Sequence, residues 1–159
     1  MTETTTAASA DNPGVIVWPP LLYGGALIVV LILRAVWPMP IVAATTVWLG
    51  LAFVVIGLAI MATGRRTMTA AGTNVNPSRP ATTIVSSGPF RFTRNPLYVG
   101  VTLIFGGLTL AFNTWWGFIV LVPVLITMHF GVVLREERYL ERKFGEPYRQ
   151  YRSRVRRYF

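Results

Sequence analysis

A run of 23 uncharged residues, Ile41 to Thr63, closed by Gly64-Arg65-Arg66, constrains this chain more than any other feature. At roughly 1.5 Å per residue it makes a helix of about 35 Å, enough to cross a bilayer's hydrocarbon with some tilt. Three further apolar runs accompany it. Leu21 to Val36 follows Trp18-Pro19-Pro20 and carries only Arg34, near its far end, where a long side chain reaches the headgroups. Leu97 to Phe112 is short unless Asn113-Thr114 and the anchors Trp115 and Trp116 mark the far interface. Gly117 to Leu134 contains Pro123, which predicts a kink, and His129 nearer its exit. The expected fold is all-α: a polytopic membrane protein with about four transmembrane helices, near 18–36, 41–63, 97–114 and 117–134. These belong to one domain over 15–159, after a disordered tail at 1–14 that lacks the basic start of a signal peptide.

Charge orients this frame. The net charge of +9 comes from fourteen arginines and one lysine, nearly all outside the apolar runs. Five arginines lie between Gly64 and Asn95 and nine basic residues follow Leu134, whereas the turns after the first and third runs have none. The positive-inside rule therefore puts both termini and the loop 64–95 in the cytoplasm, the pattern of an inner, cytoplasmic membrane. Basic residues that flank helices and form no separate domain suit anionic lipid headgroups and argue against a nucleic-acid partner. With no cysteine, one histidine and six carboxylates, the chain offers no disulfide, no thiol nucleophile and no metal cage.

Two polar stretches stand out. The loop 64–95 is rich in Thr, Ser, Asn, Gly and Pro and is too long for a plain connection. It ends at Asn95-Pro96, a helix start with Asn95 as N-cap and Pro96 at the first helical position. Beyond Leu134 the chain is charged but helical in pattern: Leu140, Phe144, Tyr148, Tyr151 and Val155 recur at spacings of three and four. Gly145 and Pro147 divide these C-terminal helices, 135–159, into two pieces of an amphipathic surface element. If the two apolar runs between the stretches form a hairpin, both stretches emerge on one membrane face.

Candidate chemistry sits there. Positions seven apart on an ideal helix differ by about 20° in direction, so His129 and Glu136 share a face. Glu136 and Glu137 read either as site carboxylates or as interfacial charges balancing Arg135 and Arg138. His129 suits a hydrogen bond to a neighbouring helix as readily as catalysis. Arg94, one residue before a helix N-cap, either holds a carboxylate or phosphate or simply sets topology. Gly100 permits close approach of a helix or a ligand, and the pairs Gly24-Gly25 and Gly106-Gly107 offer packing seams for a monomer or a dimer.

Gly88-Pro89-Phe90-Arg91, then Arg94-Asn95-Pro96-Leu97-Tyr98-Val99-Gly100, then Arg135-Glu136-Glu137 with Leu140, Phe144-Gly145, Tyr148, Tyr151 and Val155, resemble the isoprenylcysteine carboxyl methyltransferase family. That family is grouped with the phospholipid methyltransferases, and the resemblance covers roughly 84–157. It implies an S-adenosylmethionine site on the cytoplasmic side, with a lipophilic acceptor arriving from the bilayer. It assigns cofactor binding to Gly88, Pro89, Arg94, Asn95, Pro96, Tyr98, Gly100, His129, Glu136, Glu137, Tyr148 and Tyr151, with Arg94 and Glu136 nearest the chemistry. Asn95 stands where the family has histidine, so a titrating role is lost there while hydrogen bonding is kept. Val155-Arg156-Arg157 replaces the usual Val-Pro-Arg, a change expected to touch only the tail.

Methyl transfer from a sulfonium asks mainly for alignment and dryness. A carboxylate acceptor such as a prenylcysteine is already ionised at neutral pH, whereas an amine headgroup needs a base. Two other classes stay open: a nicotinamide-dependent membrane sterol or steroid reductase, with a similar C-terminal pattern, and a non-enzymatic protein binding anionic lipid.

Overall fold

Pro19 stands at the first helical position, where a missing N–H is harmless, and starts helix α1, Pro19–Val36. Pro38 and Pro40 then prevent its continuation. In the computed structural model, which describes residues 11–41 and 46–158, the described residues are helical with no strand. Positions 42–45 of the expected second span, 1–10 of the expected tail and the final Phe159 lie outside the described residues.

Helix α2 is Thr46–Ala70. It runs through Gly64-Arg65-Arg66, so those residues do not end the helix: arginine is a good helix former, and the helix continues past its apolar part. Gly72, at φ 70°, terminates it, and the loop begins near residue 71 rather than 64. A 3₁₀ turn at Gly88–Arg91 leads into α3, Pro96–Ala111. A four-residue turn, with Asn113 in the left-handed region at φ 53°, reverses the chain into α4, Trp116–Met128. Then come a π-helical turn, His129–Val133, and α5, Leu134–Phe144. Gly145, at φ 60°, breaks the rod before α6, Glu146–Arg154, which has Pro147 in its first turn, as the Gly and Pro spacing predicts.

The closest packing joins α2 to α3, antiparallel, along a glycine seam. Gly50, Gly57 and Gly64 recur every seven residues on α2, and Gly100 and Gly107 do so on α3. A Cβ at Gly57 would sit 2.6 Å from the Gly100 carbonyl oxygen, and one at Gly50 would sit 2.5 Å from that of Gly107. Backbones this close gain dispersion contacts that lipid tails cannot replace. Of the glycines expected to make seams, Gly107 does so, while a Cβ on Gly24, Gly25 or Gly106 would meet open space.

Helix α1 closes the bundle against α4. Tyr23, Ala26 and Val30 pack on Phe105, Val124, Met128 and Val132. The Tyr23 ring meets Phe105 edge-on at 5.9 Å, and its hydroxyl donates to Thr102 Oγ1 at 2.7 Å while that of Thr102 donates to the Tyr98 carbonyl, so neither hydroxyl is idle. Outside this core Leu21, Ile28, Ile32, Trp48, Val55 and Ile126 are exposed, the distribution of a protein whose solvent on that face is lipid.

Among the described residues, three helices are long and apolar enough to cross a membrane: Pro19–Val36, Thr46–Ala70 and the continuous rod Trp116–Phe144. Helix α3 has 16 residues, about 24 Å, and falls short of a hydrocarbon thickness of about 30 Å, so four crossings are not reached by length.

The bundle has two distinct ends. At one, the turns after α1 and α3 meet: Trp115 N–H donates to the Met39 carbonyl, Trp116 Nε1 to that of Trp37, and Arg34 Nε to that of Phe112. At the other end lie the loop after α2, the start of α3, α5, α6 and both described ends of the chain.

Candidate active site

Arg94 reaches its position because three backbone-linked segments converge there. The 3₁₀ turn presents the Phe90 carbonyl to the Tyr151 hydroxyl at 2.8 Å, joining it to α6. The Arg94 N–H donates to the Arg156 carbonyl at 3.0 Å. Thr93 Oγ1 and Asn95 Nδ2 both donate to the Arg157 carbonyl, each at 3.0 Å. Asn95 therefore occupies the N-cap position without capping through its side chain, which fastens the C-terminal segment instead.

Around this junction lies an open-mouthed cavity, about 890 Å³ when the space at its mouth is counted. Arg94, Asn95, Pro96 and Tyr98 from the start of α3, Glu136 and Glu137 from α5, and Tyr148 and Tyr151 from α6 all line it. The two distant polar stretches thus do meet. Met68, Ile84, Val85, Phe90, Leu97 and Leu140 give it an apolar share, and Thr73 to Val85 and Pro13 cover it. That loop is braced by its own side chains, Thr82 Oγ1 donating to the Gly72 carbonyl and Asn74 Nδ2 to that of Pro80, and is tied to α5 by the Ala81 N–H, which donates to the Tyr139 hydroxyl.

The electrostatics turn on one carboxylate. Glu137, with its side chain only 8% exposed, takes Arg157 Nε and Nη2 on its two oxygens at 2.9 and 2.8 Å and Arg94 Nη2 at 3.2 Å. This fork raises the Arg157 guanidinium above its ordinary value. The Arg94 side chain is also 8% exposed, yet its Nε and Nη1 have no hydrogen-bond partner within the protein. Such donors are costly to leave unmet, so a partner from outside the chain is called for. Glu136 lines the cavity with Tyr98 and makes no ion pair among the described residues. Burial, reinforced by the Glu137 carboxylate, pushes Tyr148 up to about 12, and burial also raises Tyr151.

Other expected residues sit elsewhere. His129 does not line the cavity; its Nδ1 pairs with the Tyr158 hydroxyl at 2.9 Å. The π turn inserts about one extra residue before Glu136, which rotates the two side chains roughly 100° apart, whereas an ideal helix aligns them. Gly100 faces Met61 and Gly57 across the seam and does not face the cavity. Gly88 and Pro89 shape the turn behind Phe90 without lining the cavity; at φ 56°, Gly88 approaches Thr67 of α2. Two contributors went unread in the sequence. Arg157, in a tail where the sequence predicts no role, forks onto Glu137, although an arginine beside a family motif is a signal of a kind. Residues 11–14, placed in a disordered tail, include Pro13 at the cavity and Asp11, which accepts from Lys143 at 2.6 Å and from Tyr139 at 2.8 Å.

Compared with known proteins, the chain matches the family model described as phospholipid methyltransferase over residues 45–147, well over half its length. No curated protein and no solved structure matches it. The matched segment holds both walls of the cavity, the start of α3 and the α5 carboxylates, and so this chain, an integral membrane protein with a polar site at one end of its helices, belongs to the phospholipid methyltransferase family.

Proposed function

We propose that the protein transfers a methyl group from S-adenosylmethionine to a lipid acceptor held in the bilayer. One observation carries this reading: Arg94, whose buried Nε and Nη1 have no hydrogen-bond partner within the protein, lines the cavity of a chain that belongs to a methyltransferase family. A carboxylate can accept from such charged donors, and the donor's methionine moiety bears one. Glu136 gives the same cavity a carboxyl group without an ion-pair partner among the described residues, which suits a sulfonium or an amine. When bound, the cofactor supplies an activated methyl group; the protein's share is to hold both reactants in line and exclude water. Arg94 anchors, Glu136 attracts the positive end, and Tyr148 and Tyr151 supply a stacking wall. The apolar share of the lining suits a lipophilic acceptor, and the basic flanks suit anionic headgroups. The arginine bias supports a cytoplasmic position for this end and both termini.

Calorimetric titration of the purified protein with S-adenosylmethionine and S-adenosylhomocysteine tests the reading. Binding of both is expected, weakened roughly tenfold to hundredfold in Arg94→Met and in Glu136→Gln. Binding of a nicotinamide dinucleotide in their place, or unchanged affinity in both variants, would overturn it. Labelled methyl should pass from the donor into a lipid extract.

A further inference from the structure

The cavity's anion receptor contains its own contradiction. Arg94 is the group that should take up a carboxylate, but it already has one, since Glu137 lies 3.2 Å from its Nη2. A guanidinium neutralised by a buried glutamate is a poor anion receptor, because the incoming anion meets a pair whose charges cancel. The C-terminal segment resolves this. Arg157 engages both Glu137 oxygens in a fork at 2.9 and 2.8 Å, so two guanidinia share one carboxylate and the cluster keeps one positive charge. The arrangement is built with care: the Arg157 carbonyl is held by Thr93 and Asn95, the residues on either side of Arg94, and the Tyr158 hydroxyl is held by His129. Of the two guanidinia only Arg94 lines the cavity, and its Nε and Nη1 are buried and without protein partners.

We propose that Arg157 is a positioning residue for anion recognition: it satisfies Glu137 from the cavity's far side, so that Arg94 stays charged-in-effect and correctly turned toward the ligand's carboxylate. The inference rests on the cofactor reading above and adds to it a residue that touches no ligand. It also explains why a half-exposed arginine near the chain end, its side chain 32% exposed, is tied down by three separate hydrogen-bonding residues.

Charge compensation separates this role from mere packing. In the full-length protein, Arg157→Met should weaken S-adenosylhomocysteine at least about tenfold. Methylthioadenosine, which lacks the amino-acid carboxylate, should keep its affinity within about twofold, and this also controls for folding. The double variant Glu137→Gln/Arg157→Met removes the carboxylate together with its second guanidinium and so restores the positive charge at Arg94; its affinity for S-adenosylhomocysteine should return to within about threefold of the unaltered protein, as charge-assisted bonding predicts. If Arg157→Met binds normally while Arg94→Met does not, the inference falls and the functional reading stands. If Arg157→Met weakens both ligands equally and the double variant shows no recovery, Arg157 only packs the tail, and the inference falls again. If the unaltered protein binds neither ligand, both readings fall together.

Discussion

At the residue scale the cavity is defined by what its tyrosines and carboxylates can afford to ionise. An unfolded tyrosine ionises near 10, whereas Tyr148 in the folded protein holds its proton up to about 12. Between those values the folded state binds more protons than the unfolded one, so stability is level below about pH 10 and is lost as pH rises toward 12. Tyr151, raised for the same reason of burial, adds in the same direction. Thermal unfolding in detergent from pH 8 to 11.5 should show this decline, and Tyr148→Phe should flatten it. A second residue prediction concerns the 3₁₀ turn: Tyr151→Phe removes the bond to the Phe90 carbonyl and should destabilise by about 1 kcal/mol, read as a lower melting temperature. Much of this scale was legible. Arg94, Tyr98, Glu136, Tyr148 and Tyr151 stand out in the sequence and share the cavity. His129 does not, because a wider helical turn has no signature in side-chain spacing, and Arg157 was missed because a tail arginine looks the same whether solvated or forked onto a glutamate.

At the element scale the fold depends on the α2 and α3 pair. Gly57→Ala places a methyl carbon 2.6 Å from a backbone oxygen, and neither backbone can yield without parting the helices. A loss of about 1–3 kcal/mol is expected from such overpacking. Gly106→Ala, one residue from the seam, meets nothing within 4 Å and should instead stabilise by up to about 1 kcal/mol through helix propensity. Equal melting temperatures for the two variants would contradict the seam. The helices themselves were readable from apolar runs and from Pro19, Pro96, Gly145 and Pro147. Their partners were not, since a glycine's spacing shows that a face is smooth without showing which helix lies on it. The Gly64-Arg65-Arg66 boundary failed for a related reason: leaving the hydrocarbon ends an apolar run and need not end a helix.

At the scale of the whole molecule, the two turns gather at one end and the cavity, loop and chain ends at the other, the arrangement that arginine placement alone predicts. The absence of cysteine makes this easy to test. A single cysteine at Pro38 should react with an impermeant maleimide only from the side opposite to one at Ser78 or Ser153; labelling of all three from one side would refute the arrangement. The number of crossings was less legible, because the third apolar run looks long only when the turn Asn113-Thr114 is counted in, and the helix stops at Ala111. The shortness of α3 has a consequence for the surrounding lipid. The glycine seam locks a rod of about 24 Å against a longer neighbour, leaving a mismatch of about 6 Å with an average bilayer. If α3 crosses the bilayer, the membrane beside it must dimple, and the headgroups there sink toward the plane of Arg94. An acceptor lipid then needs no extraction to present its polar end, and turnover should be faster in bilayers of short acyl chains than in thick, sterol-stiffened ones.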